Sequence, residues 1–445
     1  MTEGTKDIYL ANFAQLEKDV ANNGQSWTLP IRQAAISRFT ALGFPTTRLE
    51  EWKYTNVAPL GRIPFQPAQH GSRALTSEAL AASTMPELMA TQLVFVNGHY
   101  VPELSSLRAL PRGVEVGDLA TALARHPDWL EAHLARYANY EEQAFVALST
   151  AFMQDGAVVY IPRGSVVEAP IHLLFIAIPH GEAMVSYPRN LIVMEDDTQA
   201  TVVESYIAPA NEVYFTNAVT EMVLGQNAIA DHCKLEWESP GAFHIATLQV
   251  HQDRSSSFTS HSIAVGGALV RNDLNVALTG EGGESTLNGL FMGTGQQHID
   301  NHTRIDHVKP YCTSRELYKG ILDAKARGVF NGKIVVHKDA QKTDAVQTSK
   351  NLLLSEDASI DTKPQLEIFN NDVKCSHGST IGRLDEESIF YLCSRGLGKE
   401  AARSLLTYAF ASEIVNRIKL EPIRTKLNDA LLTWLPRGQR VKEAI

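Results

Sequence analysis

Cysteine is scarce in this 445-residue chain, with four residues (Cys233, Cys312, Cys375 and Cys393) and no C-x-x-C pair among them. That scarcity argues against a disulfide scaffold or a structural zinc site and suits a reducing compartment. No run of 18 apolar residues occurs, so no membrane-spanning helix is expected. The opening MTEGTKDIYLANFAQ has no basic stretch followed by an apolar one. The expectation is therefore no secretion signal and a cytoplasmic protein. No G-x-x-x-x-G-K-[ST] loop is present, so the chain is not expected to hydrolyse ATP. A net charge of −10 speaks against a general nucleic-acid binder.

What the chain does have is a repeat. Short apolar strands run into a polar turn and a small residue, and another strand follows. Leu191–Met194 ends in Glu195-Asp196-Asp197 and resumes after Ala200, and Glu221–Leu224 ends in Gly225-Gln226-Asn227 and resumes after Ala228. The pattern returns at Ser256, at Glu284-Ser285, less clearly at Cys312-Thr313, and at Ala340-Gln341. A step of about 28 residues lies in the range of stacked repeats. One strand-turn-strand unit cannot bury its own apolar face, so neighbours must stack. With almost no helical period in the units, the spacing predicts a parallel β-helix, right-handed by the usual crossover preference. Ser355-Glu356-Asp357 follows His337-Lys338-Asp339 early, which reads as a shortened last rung before a cap.

The flanks differ. Residues 1–145 read as a mostly helical N-terminal domain, 146–392 as the β-helix and 393–445 as a helical C-terminal domain. Leu29 to Phe39 has helical spacing and stops at Gly43 and Pro45. Val116 to Tyr137, broken at Pro127, and Glu141 to Phe152 are further helix candidates, whereas Asn97-Gly98 predicts a tight hairpin. From Gly396 onward nine Lys and Arg face five Asp and Glu, on an acidic chain. The tail carries two apolar stripes, one with Leu405 and Ala409 and one with Leu427, Leu431 and Trp434. A solvated helical hairpin and a docking surface account for it equally well.

Three groups could carry chemistry. On a strand, Cys375 and His377 share a face, and an imidazolium would lower the thiol pKa. A buried thiol beside an incidental histidine explains the pair as simply. His298 and His302 would share one face of a strand and His307 the other; they could ligate iron or form a polar ladder. The acid pairs Asp300/Asp306 and Asp339/Asp344 are what a β-helix glycosidase or lyase would need, yet their contexts are turn-like.

Read together, several segments resemble the SufB/SufD family of iron–sulfur assembly scaffolds. They are Gly43–Thr55 (GFPTTRLEEWKYT), Gly328–Val336 (GVFNGKIVV), Asp361–Ile368 (DTKPQLEI), Asp372–Gly382 (DVKCSHGSTIG), and Phe390-Tyr391 with Ser394-Arg395-Gly396. The later segments are most similar to the SufD branch. Ser349 stands where the SufB branch has a cysteine essential to assembly, which favours SufD and removes a sulfur ligand. The resemblance implies a non-enzymatic scaffold that pairs with SufB across a shared β-helix end. It also implies a SufC ATPase, the subunit that binds ATP, docked on the C-terminal helices through residues such as Leu405, Ala409, Leu427, Leu431 and Trp434. It assigns His377 to the SufB interface as an iron ligand, with Cys375 beside it. Four cysteines so dispersed offer no preformed thiolate cage, so no stable cluster is expected on the lone chain; the resemblance implies a nascent Fe–S cluster in the complex and leaves open whether a flavin (FAD) is also bound. The rival readings are a β-helix polysaccharide lyase or hydrolase and the SufB paralogue. The first would want a secretion signal and clustered acids, and the missing cysteine opposes the second.

Overall fold

Left-handed turn residues set the rungs. The structure is a computed structural model that describes residues 3–22, 25–68, 85–125, 128–179, 183–208 and 212–444. Asp197, Asn227, Ser255, Gly282, Tyr311 and Lys342 all have positive φ and recur once per rung. Each donates its N–H to a carbonyl one rung further on: those of Gln226, Arg254, Glu281, Pro310, Gln341 and Asp372. The turns therefore stack as a ladder of their own beside the strands.

The first strands lie in the N-terminal region: β1 (Gln66–Pro67), β2 (Thr91–Val96), β3 (His99–Tyr100) and β4 (Glu115–Asp118). Short strands follow as β5 (Ala157–Ile161), β6 (Ile171–Ile176), β7 (Met184–Ser186), β8 (Arg189–Met194) and β9 (Gln199–Ile207). The regular rungs begin at β10 (Tyr214–Leu224) and continue through β11 (Ile229–Glu238), β12 (Phe243–Gln252), β13 (Ser257–Gly266) and β14 (Leu269–Leu278). Then come β15 (Glu284–Gly293), β16 (His298–His307), β17 (Thr313–Leu322) and β18 (Arg327–Val336). The last are β19 (Asp344–Leu353), β20 (Ser359–Ile368) and β21 (Lys374–Gly382).

Successive strands alternate between two sheets, one carrying the even-numbered strands from β8 to β20 and the other the odd-numbered ones from β9 to β21. Within each sheet all of these pair in parallel, giving a solenoid of about eight turns. In the odd sheet Ile229 pairs with Ser257, Ser257 with Glu284, Glu284 with Thr313 and Thr313 with Asp344. The last rung is not shortened. Arg327 pairs with Ser359, 32 positions on, and the two turns taken for consecutive rungs are the two turns of one rung.

Inward residues such as Val202, Met222, Phe258, Leu287, Ile305 and Phe330 form the solenoid core. Helices cover both outer faces. The N-terminal helices are α1 (Glu3–Asn22), α2 (Leu29–Leu42), α3 (Leu119–Arg125), α4 (Asp128–His133) and α5 (Ala144–Phe152). Tyr9, Phe13, Phe39, Phe145 and Phe152 pack on Val185, Phe215, Phe243 and Ile245 of the even sheet. α2 ends at Gly43, whose φ is +65°, where the sequence places its stop. The expected helix from Val116 begins instead as strand, because Val116 pairs antiparallel with Val159 on β5 and closes the sheet edge; its break at Pro127 lies outside the described residues. The Asn97-Gly98 hairpin forms as read, both residues left-handed.

At the other end are α6 (Glu386–Ser394), α7 (Lys399–Val415), α8 (Glu421–Trp434) and α9 (Gly438–Ala444). Ala411, Ile414, Val415, Ile423, Leu427 and Leu431 pack on Cys233, Leu235, Ile263, Leu290 and Leu317 of the odd sheet. The apolar stripe holding Leu427 and Leu431 is therefore used within the chain. The helical hairpin seals a sheet face that would otherwise be open to water.

A buried ion pair fixes the N-terminal layer. The Glu221 carboxylate accepts the N–H groups of Ala135, Tyr137 and Ala138, each at 2.8 Å, and the Arg189 guanidinium at 2.8 Å. Neither side chain is exposed. Glu221→Gln leaves Arg189 buried without its counter-charge, and one-sided loss of such a pair costs about 3–5 kcal/mol. Urea denaturation of Glu221→Gln should show that loss, and the double substitution Arg189→Met/Glu221→Gln should recover part of it, because no charge is then left buried while the amide oxygen still accepts from the loop N–H groups.

Candidate functional site

The solenoid ends without a cap on its ladder. β20 and β21 each hydrogen-bond a neighbour on one side only, so their outer edges offer unpaired backbone groups. Around them Ile368, Phe369 and Ile381 are exposed, and Phe390 and Tyr391 of α6 are more than half exposed. The side chain of Asp385 caps α6 by accepting the Glu387 and Ser388 N–H groups.

On β21 the alternation reads as expected, with Cys375 and His377 on one face, turned into the solenoid. Cys375 is half-buried against Ile334, Val336, Ala340 and Ala345. Burial pushes its thiol up, as does the charge of Asp344, against a lowering hydrogen bond from the Ala345 N–H. A thiolate activated by its imidazole neighbour is thus not what the surroundings favour. His377 has no rung above it and is exposed at the mouth. Below it in register stands Gln347, and below that Glu316. Ser349, one inward position along, is buried and accepts from Asn351 Nδ2 at 2.9 Å. Gln347 and Glu316 carry no motif and were not legible as site residues; only the strand register brings them under His377.

The second histidine group lies on the even sheet. His298 and His302 face outward and His307 inward, where its Nε2 lies 2.9 Å from the Ser314 hydroxyl. The outward pair latches the N-terminal segment. Thr55 donates to Asp300 and lies 2.8 Å from His298 Nε2, while His302 sits 3.1 Å from Asp300 and 3.6 Å from Glu51. Arg271 donates to the Glu51 carbonyl and to Asp273 and Asp300, with Trp52 over its plane at 3.7 Å. Lys363 of β20 pairs with Glu50. Beside the latch is a cleft of about 420 Å³ lined by Trp52, Phe145, Arg304, Lys333 and Asn331 among others. Its Arg and Lys side chains are already paired, Arg271 with Asp273, Arg304 with Asp306 and Lys333 with Glu367.

The pair Asp300/Asp306 is not arranged as a glycosidase pair. Asp300 is buried under Arg271 and His302, while Asp306 binds Arg304 and His337. They stand six positions apart on one strand, roughly 20 Å at ~3.3 Å per residue, beyond the ~5–9.5 Å of glycosidase pairs. Asp344 is engaged by Arg315. Among the described residues no group of three or more His, Cys, Asp and Glu could hold a metal ion. In the C-terminal helices Leu405 is half-buried, Ala409 exposed and Trp434 partly buried, whereas Leu427 and Leu431 are covered by the solenoid.

Residues 177–410 match the family model described as "SUF system FeS cluster assembly, SufBD core domain", and residues 3–173 match "SufBD protein N-terminal region". A SufBD family iron–sulfur cluster assembly protein of Synechocystis is 36% identical over 90% of this chain and 89% of its own length. The iron–sulfur cluster assembly protein SufD of Escherichia coli is 32% identical over 92% of this chain and 94% of its own. SufD of Bacillus subtilis is 28% identical over 96% and 98%.

The latch responds to pH through His302. Burial and the Arg271 charge pull its pKa down, but attraction to Asp300 and hydrogen bonds to Asp300 and Glu51 outweigh them, and the net shift is upward. A raised imidazole pKa stabilises the fold fully below the unfolded value of about 6.5, and the contribution vanishes as pH rises through the folded pKa. The stability of the wild type relative to His302→Gln should be largest near pH 6 and shrink toward pH 9, read from denaturation midpoints across that range. A difference that is flat or grows with pH contradicts the latch.

Proposed function

This chain belongs to the SufBD family of iron–sulfur cluster assembly proteins, and on that premise we propose that it is a non-catalytic scaffold subunit of a SUF assembly complex. In this reading it pairs with a SufB-type subunit through the open end of the solenoid and binds a SufC-type ATPase through its C-terminal helices. The nascent cluster is cargo held at the shared end, ATP stays on the ATPase, and the complex works in the cytoplasm.

The observation that carries the reading is the unfinished last rung. A solenoid end with free strand edges, exposed Ile368, Phe369 and Ile381, and an exposed histidine at its mouth is built to continue into another chain. Strand addition supplies backbone hydrogen bonds, and the apolar rim supplies burial. His377 can then offer a nitrogen ligand to iron while the partner supplies thiolate sulfur, a mixed donor set that suits iron. For the ATPase, Leu427 and Leu431 hold the hairpin in place, leaving the outward surface with Leu405, Ala409 and the rim of Trp434 as the contact.

Co-expression with SufB-type and SufC-type partners tests both halves. His377→Ala should leave the complex assembled and melting normally but block cluster formation, while Cys375→Ser does less. A His377→Ala complex that matures clusters at the wild-type rate ends the ligand reading. Ala409→Arg, on an exposed helical position, should lose the ATPase in pull-down with an unchanged melting temperature. Leu427→Ala should instead lower stability by about 2–5 kcal/mol as a core truncation does. An Ala409→Arg chain that still retains the ATPase places that contact elsewhere.

A further inference from the structure

Charges inside the solenoid are mostly paired. Glu204 meets His232, and Glu236 meets both Lys234 and His244. Near the mouth the pattern changes. The inward column runs Leu287, Glu316, Gln347, His377 in strict parallel register. Gln347 Nε2 donates to Glu316 Oε2 at 2.7 Å. Both residues are at least nine-tenths buried, yet Glu316 Oε1 and Gln347 Oε1 have no hydrogen-bond partner. The opposite sheet makes room for this amide: a Cβ on Gly332 would lie 2.1 Å from Gln347 Nε2. A buried acceptor left open is unfavourable, and the residue next in line above it is the exposed His377.

We infer that Gln347, anchored by Glu316 and seated against Gly332, is the positioning residue for His377: its amide oxygen accepts one ring N–H and turns the other ring nitrogen outward. This rests on the reading of His377 as an iron ligand. Histidine ligands to metals commonly donate their second ring N–H to a carbonyl or carboxylate, which fixes the tautomer and the ring orientation. Adjacent strands lie about 4.8 Å apart, so an amide one rung down can reach the imidazole. Cys375 has no such support, since Ala345 lies beneath it.

The test begins on the lone chain, without iron. With ¹⁵N-labelled histidine, and His377 identified by its absence in His377→Ala, the His377 ring nitrogens should report one fixed neutral tautomer. An averaged signal, like that of a free imidazole, overturns the inference without any Gln347 variant being needed. Gln347→Met removes the acceptor at similar size and should convert the signal to the averaged form. In the assembled complex it should slow cluster formation about tenfold or more, with the complex intact by gel filtration. Gln347→Glu combined with Glu316→Gln keeps both the acceptor and the hydrogen bond from the residue below, and should restore the single tautomer and most of the rate. If His377→Ala is blocked but Gln347→Met keeps both one tautomer and the wild-type rate, the positioning role is wrong while the ligand reading stands. If His377→Ala itself matures clusters normally, the ligand reading falls and takes this inference with it.

Discussion

Parallel stacking is the constraint on which the rest of the molecule depends. Each solenoid strand satisfies its backbone only through the rung before and the rung after, so a stack of parallel strands has two raw ends and two exposed faces. The faces are closed by helices, Phe145 and Phe152 on one sheet and Ile414 and Leu427 on the other. The early end is closed by antiparallel strands, β3 on β2 and β4 on β5. At the late end, β20 and β21 leave full-length parallel edges with no strand laid across them. The functional reading follows from that asymmetry more than from any single side chain.

Buried charge ties the layers to the stack. Glu221 takes three backbone N–H groups from the loop after α4 while neutralising Arg189 on the neighbouring strand. Arg271 joins the Glu51 carbonyl to Asp273 and Asp300 in the same manner. Such groups stabilise little against apolar equivalents, but they are severe when mispaired. They therefore suit places where a long, repetitive sheet could accept its helical layer in the wrong register. Glu50 with Lys363 extends one of these ties to β20, which connects the N-terminal segment to the rung that carries the open edge.

Much of this was legible. Polar turn residues such as Asp197 and Asn227 tolerate left-handed backbone and announced the rung period, and parity on one strand sorted His298 and His302 from His307. Tyr311 and Lys342 take the same conformation against their preference, because the turns on either side fix the stack, and there the signal weakened. The tail's apolar stripe was visible, but a stripe does not say what covers it; Leu427 and Leu431 turned out to face the chain's own sheet. The chemistry of Cys375 depended on Ile334 and Val336, about 40 residues earlier and adjacent only through the rungs. α1 was missed although Tyr9, Phe13, Leu16 and Val20 recur at helical spacing.

The composition of the interior bears on why the open end is where it is. Through the middle rungs the inward columns hold apolar residues, neutral polar ones such as Ser260 and Asn272, and charges that close on one another, as at Lys234, Glu236 and His244. A carboxyl buried without a cation is a different matter. Glu316 is pushed up to about 7 by burial, with the Gln347 hydrogen bond and the nearby Thr303 hydroxyl only partly opposing it. If stability alone governed the last rungs, aliphatic residues at both positions above Leu287 would serve better, because together they would remove both open acceptors and fill the same column. The polar column instead carries hydrogen-bonding capacity from the sealed interior to the one exposed histidine at the mouth. The sequence therefore gives up core stability at the one end of the solenoid that has no rung of its own to cover it.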